Sequence, residues 1–476
     1  MRGGEDKKMA IPLLILFTFF FCLPNQSRSL TNPTIQLPRS ESLDIAQTVV
    51  SVTDYGASGE GKNYDTEHIQ AAIDSCSSSG GGRVKFPPGN YLSGTLYLKS
   101  GVVLDLDEGA KILGATEEDR YPFDRQRWYA IVAENATDVG ITGRGEINGQ
   151  SSAFVETIDP RKNVMKSWNQ TGKCLGDECR PWLVGFIDSK NIRVWDINLR
   201  DCAYWCLHLL RNNNTVIHDV SIRGDFDTPN NDGIDVEDSN NTYITRCHID
   251  TADDGICPKS TSGPVINLTA TDTVIRSKSS ALKLGSGSVF NFQNFHFDNI
   301  TIVDSHRGIG FQIRDGGNVS DMVFSNIKIT TRYYHPSWWG RAEPIYMTSC
   351  RREANASAGS ISNVHFINIT SNSENGLFLS GTDGGLLSNI KFTNANFTFK
   401  RWTDFPDGWV DYRPGCQGMV RHRTAGMIME HISGMEMENV NMRWSPIDMK
   451  GWNNPLDFTP STVNKITFTN FQSDVY

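Results

Sequence analysis

Short runs of alternating apolar and polar residues return along most of the chain, separated by asparagine, aspartate and glycine. Residues 295–302 read Phe-His-Phe-Asp-Asn-Ile-Thr-Ile, and residues 322–329 read Met-Val-Phe-Ser-Asn-Ile-Lys-Ile. The same beat returns at 216–222, 364–369, 390–397 and 466–471. A period of two marks a strand with one buried face. Asn suits the corners between such strands, because its side chain tolerates left-handed backbone and can hydrogen-bond along a stack. Short strands repeated this evenly predict a solenoid whose coils share one continuous core. The expected fold is all-β, a parallel β-helix.

One stretch has the other period. Residues 66–76 (Thr-Glu-His-Ile-Gln-Ala-Ala-Ile-Asp-Ser-Cys) predict a helix with Ile69, Ala72, Ile73 and Cys76 on one face and Thr66 as its cap. Such a helix can cover the open end of a solenoid, whose first coil otherwise exposes unpaired strands. Gly80-Gly81-Gly82 lacks the Lys-Ser/Thr of a phosphate loop and leads into strand-like Arg83-Val84-Lys85-Phe86, so it reads as a turn.

Ahead of the helix, charged residues through Lys8 precede an apolar run over 9–23 that Pro24 interrupts. That run is short for a bilayer span and fits a secretory signal cleaved near residues 27–29. The expected organisation is a signal peptide over 1–29, a loose leader over 30–50 and one β-helix domain over 51–476. A chain of 476 residues would ordinarily suggest several domains, but a solenoid grows by adding coils.

The formal net charge of −9 argues against nucleic acid as a partner. No membrane association is expected after signal removal. Loss of Cys22 would leave nine of the ten cysteines, so at least one thiol stays unpaired. Cys174 and Cys179 close a short loop containing Gly176 and are the disulfide candidate, whereas Cys202 and Cys206 flank an aromatic strand and read as buried. Asn-x-Ser/Thr triplets stand at Asn135, Asn169, Asn213, Asn240, Asn267, Asn299, Asn318, Asn355, Asn368 and Asn396. Behind a signal peptide these are candidate glycan sites, which again points outside the cell.

The chemistry concentrates in residues 230–237 (Asn-Asn-Asp-Gly-Ile-Asp-Val-Glu) and 253–256 (Asp-Asp-Gly-Ile). Aligning coils on Gly233, Gly255, Ala281 and Gly310 turns Ile234, Ile256, Leu282 and Phe311 inward. The outward columns then read Asp235, Cys257, Lys283, Gln312 and, two residues on, Glu237, Lys259, Gly285, Arg314. Carboxylates of adjoining coils beside cations can place an acid and a base on either side of one bond; a surface ion-pair ladder is the plainer alternative. Two aromatic and basic segments break the beat, residues 332–352 and 399–423. They either hold a sugar acid by stacking and guanidinium pairing, or pack over the solenoid edge.

These residues resemble the polygalacturonases, glycoside hydrolase family 28, and the resemblance covers most of the chain after the leader. Phe86-Pro87-Pro88-Gly89-Asn90-Tyr91 with Gly94-Thr95-Leu96 is similar to the family's first coil. Residues 230–235 match its Asn-x-Asp-Gly-Ile-Asp motif, and Asp253-Asp254 its Asp-Asp doublet, with Lys259 at the following Lys. The resemblance implies a right-handed, pectin lyase-like β-helix, plant-type, secreted to the cell wall as a monomer. It further implies hydrolysis of an acidic pectic polysaccharide, galacturonan or rhamnogalacturonan, without metal or cofactor. Asp253 would be the general acid, with Asp232 and Asp254 activating water for inversion.

Two motifs depart from the family. Its Gly-His-Gly falls on Ser279-Ser280-Ala281, and its Arg-Ile-Lys reads Gln312-Ile313-Arg314. The substrate-binding candidates are therefore Lys259, Ser280, Lys283, Arg307, Gln312, Arg314 and Arg341, several of which could supply a displaced cation. A β-helix lyase would instead need calcium-binding carboxylates and a basic proton abstractor. A catalytically silent wall-binding protein is the third reading.

Overall fold

The computed structural model describes residues 48–122, 128–159, 162–165, 180–383, 385–445, 452 and 454–474. The expected signal peptide, most of the leader, Asn169 and the Cys174/Cys179 pair lie outside these residues.

Parallel strands build two large sheets, one of 23 strands and one of 12, and the shorter sheet follows chain order from Leu96–Leu98 to Leu456–Phe458. Successive coils sit directly in register, so identical chemistry stacks. Phe297, Phe324, Phe366 and Phe392 form a column inside the core, with ring centroids 4.9, 5.1 and 4.8 Å apart, close to the spacing of paired strands. At an outer corner Asn326, Asn368, Asn394, Asn439 and Asn470 all take positive φ. Each of the last four donates its Nδ2 to the Oδ1 of the one before, at 2.9–3.2 Å. The ladder satisfies polar groups that a corner would otherwise leave to solvent. The parallel β-helix expected from the repeat is the fold observed.

The helix α1 spans Thr66–Ser78 and buries Ile69, Ala72, Ile73 and Cys76. Its N-cap is Asp65, not Thr66. The Asp65 carboxylate accepts from the backbone of Ser58 and Gly59 at 2.7 and 3.1 Å, while Thr66 Oγ1 accepts from Gly94 N at 2.9 Å. Both side chains tie the helix start to neighbouring loops.

The shorter sheet carries the stretch of interest. Its relevant strands are β1 (Leu207–Leu210), β2 (Ile234–Glu237), β3 (Ile256–Lys259), β4 (Ser280–Ser286), β5 (Arg307–Ile313), β6 (Ile345–Ser349) and β7 (Leu377–Ser380). Glycine before β2 and β3 is required by close approach. A Cβ on Gly233 would lie 2.5 Å from Gly255 O and 2.6 Å from Ile249 Cγ2, and one on Gly255 would lie 2.4 Å from Ala281 O. The register of β2 on β3 is the expected one, Asp235 opposite Cys257 and Glu237 opposite Lys259.

From β4 to β5 the register differs from expectation by two residues. Leu282 faces Ile309, Lys283 faces Gly310 and Gly285 faces Gln312. Residues 308–311 contain two consecutive Gly-apolar pairs, and the first of them, not the second, stacks on Ala281-Leu282. The first outward column therefore runs Asp235, Cys257, Lys283, Gly310; in the second, Glu237 faces Lys259 and Gly285 faces Gln312, but Ser260 bridges Ser288, so the register slips between β3 and β4, with Arg314 beyond both columns.

Two disulfides join described cysteines, Cys202–Cys206 and Cys350–Cys416. The first corrects the reading of that pair as merely buried; the second closes a separation of 66 residues that spacing does not reveal. Cys76, Cys247 and Cys257 are free and buried. No described helix is long and apolar enough to cross a membrane. The described sequons Asn135, Asn213, Asn267, Asn299, Asn318, Asn355, Asn368 and Asn396 are exposed, and Asn240 is half-buried.

Candidate active site

Asp232, Asp253 and Asp254 converge from the turns entering β2 and β3. Backbone groups fix the doublet: Asp253 Oδ2 accepts from Asn230 N at 3.0 Å, and Oδ1 from Asp254 N at 3.1 Å. Asp253 is half-buried, whereas Asp232 and Asp254 are 3% and 1% exposed, so Asp253 is the carboxyl that reaches the open side.

Asp254 is held by donors on the next coil. Its Oδ1 accepts from Ser279 Oγ at 2.9 Å and Ser280 N at 3.2 Å, and its Oδ2 from Lys283 Nζ at 2.5 Å. Lys259 Nζ lies 3.3 Å from Asp232 Oδ2, contacts Asp235 Oδ1, and rests 4.1 Å from the centroid of the half-exposed Trp205. Asp232 Oδ1 has no hydrogen-bond partner among the described residues.

The charges are tuned apart. Burial pushes Asp232 well above the usual carboxylate range, with Asp235 adding to the shift and Lys259 opposing it. Burial likewise pushes Asp235 up to about 7 despite the Lys259 ammonium. Burial also works against the Asp254 charge, but Lys283 and Lys259 hold its carboxyl below the ordinary value. Both lysines keep raised values, their carboxylate partners outweighing burial. Neighbouring carboxyls with divergent proton affinities are what acid–base chemistry needs.

Asp232, Asp254 and Cys257 place one ligand atom each within 4.8 Å of one another, a spacing able to hold a metal ion. Lys259 Nζ, 3.0 Å from Cys257 Sγ, and Lys283 Nζ already neutralise those groups, so an entering cation would have to displace two ammoniums.

The structure brings Lys259, Lys283 and Ser280 to the carboxylates. Ser280 contributes its backbone N–H; its hydroxyl is buried and has no partner among the described residues. Arg307, Gln312, Arg314 and Arg341 do not join them. All four are 0% exposed. Arg307 pairs with Glu343 at 3.3 Å, and Arg341 pairs with Asp411 at 3.4 Å. Gln312 Nε2 donates to Arg413 O at 3.1 Å, and Arg314 donates to Pro414 O and Tyr412 O at 3.0 and 3.1 Å. The residues 399–423 thus pack over the solenoid edge and consume these donors. The sequence reading missed Asp235, Trp205 and Asp411 as partners. Asp235 was legible as the last residue of the Asn-x-Asp-Gly-Ile-Asp motif, facing outward beside Lys259's column.

The buried setting of Ser280 gives a direct expectation. Ser280 faces the buried Arg307, and a Cβ on nearby Gly310 would lie 3.1 Å from Arg307 Cδ and 3.3 Å from Ser280 Oγ, so little space remains there. Ser280→His therefore overpacks the coil and should destabilise the protein by about 1–3 kcal/mol, with reduced activity. Denaturant unfolding and turnover of the variant check this; a stable variant with higher turnover on polygalacturonate would contradict it.

A family model described as glycosyl hydrolases family 28 matches residues 76–404. A grapevine (Vitis vinifera) protein named "Probable polygalacturonase" is 27% identical over 59% of this chain and 60% of its own length. An exo-poly-alpha-D-galacturonosidase of Dickeya chrysanthemi is 28% identical over 49% of this chain and 44% of its own. Matches to these relatives span under two thirds of their lengths. Another probable polygalacturonase, of Arabidopsis thaliana, is 25% identical over 82% of this chain and 86% of its own. Among solved structures, a family 28 exopolygalacturonase of Yersinia enterocolitica superposes with TM-score 0.65 at 18% identity, over 90% of this chain and 78% of that one. An exopolygalacturonase of Thermotoga maritima gives TM-score 0.63 at 20% identity, over 82% and 92%. At such identities the structures establish a shared fold.

Proposed function

The chain belongs to glycosyl hydrolases family 28, and on that premise we propose that it hydrolyses the galacturonic-acid-containing backbone of pectin with inversion. Asp253 acts as general acid on the leaving glycosidic oxygen. Asp254 takes the proton of the attacking water, which the free oxygen of Asp232 helps to orient. The observation that carries this reading is the convergence of three carboxyls from adjoining coils, with only Asp253 reaching the open side. In support, Asp254 is kept ionised by Lys283, and Asp232 retains an uncommitted oxygen. Lys259, half-buried like Asp253, is the cation placed to meet a uronate carboxylate at the same mouth, whereas Lys283 is buried against Asp254. The family does not favour the lyase alternative. Secretion to the cell wall is part of the proposal, supported by the apolar run over 9–23 and the exposed sequons.

Reducing-end release from a panel of pectic polymers (polygalacturonate, methyl-esterified pectin and rhamnogalacturonan) tests the assignment. Release from at least one is expected; silence on all would favour a wall-binding protein without catalysis.

Lys283 should also show in the pH profile. Lys283→Met keeps the side-chain bulk but removes the cation that lowers the Asp254 pKa. The base then needs a higher pH to ionise, so the acid limb of kcat/KM should move to higher pH. An unmoved limb would remove Lys283 from the catalytic account.

A further inference from the structure

On a bare β-helix, outward-facing side chains of successive coils stay open, and a polymer can lie across many of them. Here the face carrying the carboxylates is closed on its C-terminal side. The outward residues after the site, Gln312 on β5 and Tyr346 and Thr348 on β6, are all 0% exposed, and Phe378 on β7 is 2% exposed. What covers them is a strap built around the antiparallel pair Trp409–Asp411 and Met419–Arg421.

The strap is integral to the packing. Gln312 and Arg314 donate to its carbonyls, as described above, and Tyr346 Oη donates to Asp411 O at 2.8 Å. Val410 and Tyr412 join Tyr346, Phe378 and Ile428 in one apolar cluster, and the Cys350–Cys416 disulfide pins the turn to the coil beneath. Arg413 further ties it to the neighbouring loop through Pro336 O at 3.1 Å. That loop also borders the site, where the ring centroid of Trp339 lies 5.0 Å from Lys283 Nζ.

We infer that the enzyme cuts only at a chain end, releasing a mono- or disaccharide at each cut. This rests on the hydrolase reading above. From β3 to the roofed β5 is two strand steps, about 10 Å, room for no more than two sugar rings beyond the carboxylates. A polymer cannot continue through a wall held by buried hydrogen bonds, so an interior bond cannot reach Asp253. The chain end itself seats against the strap.

The test uses the wild-type protein on whichever polymer of the panel releases reducing ends, with chromatography of early products and viscometry in parallel. Mono- or disaccharide from the first time points, with slow loss of viscosity, is expected. A ladder of intermediate oligomers with early collapse of viscosity would overturn this inference while leaving the hydrolase standing. No release from any polymer would instead overturn the hydrolase, and the chain-end inference with it.

Discussion

Asp253→Asn is expected to lower kcat by about 10²- to 10⁴-fold, the range that a positioned proton donor contributes. The amide is isosteric with the carboxyl and its one carbonyl oxygen can still accept from either Asn230 N or Asp254 N, so the turn entering β3 loses one of two side-chain bonds and should largely keep its shape. What it cannot do is hand a proton to a departing oxygen. KM and melting temperature should therefore stay close to wild type, because the side chain is half-exposed and supports no core packing. Loss of turnover with binding intact marks an interaction made only in the transition state. Near-normal turnover in a folded variant would exclude Asp253 as the acid.

Lys259→Met should destabilise the protein by about 3–5 kcal/mol near neutral pH, the cost of leaving a buried charge without its partner. Lys259 serves two buried carboxylates at once, Asp232 and Asp235, and Asp235 is 0% exposed with one oxygen already unpartnered. The pH dependence follows from the direction of the shift. The folded-state pKa of Asp235 is pushed up to about 7, above the unfolded carboxylate value. The folded state thus holds a proton that the unfolded chain releases, and stability contributed this way is lost as pH rises through the folded pKa. Removing Lys259 raises that pKa further. Destabilisation should accordingly be larger at pH 8 than at pH 4, and Lys259→Met combined with Asp235→Asn should recover part of it. Denaturant unfolding of the two variants at both pH values checks this; equal losses at both would show that the pair is not electrostatically coupled.

The fold was legible because its determinants are local. Alternation in residues 322–329 and 390–397 states which side chains turn inward, and the asparagines at 326, 368 and 394 occupy left-handed corners that stack by register alone. The carboxylates were legible for the same reason, since Asp232 and Asp254 each precede a glycine that only a tight corner requires. Residues 308–311 offered two equivalent alignments, and packing, not pattern, selected one. Most opaque were the buried cations. Arg314 looks like a cleft residue until Tyr412 and Pro414, about a hundred positions later, claim its guanidinium. The Cys350–Cys416 bond that secures that strap is equally remote in sequence. Contacts of this kind are set by tertiary structure and leave no periodic trace.

Hydrolysis by inversion at Asp253, Asp254 and Asp232 makes one claim above the others, that water attacks the anomeric carbon from the face opposite the acid. Early cleavage followed by NMR in ¹⁸O-enriched water measures both the attacking group and its direction. The account predicts a new reducing end carrying the label at its anomeric carbon, in the configuration opposite to that of the bond cleaved, with no effect of a chelator. A retained configuration, or an unlabelled unsaturated product that disappears when calcium is removed, would contradict it.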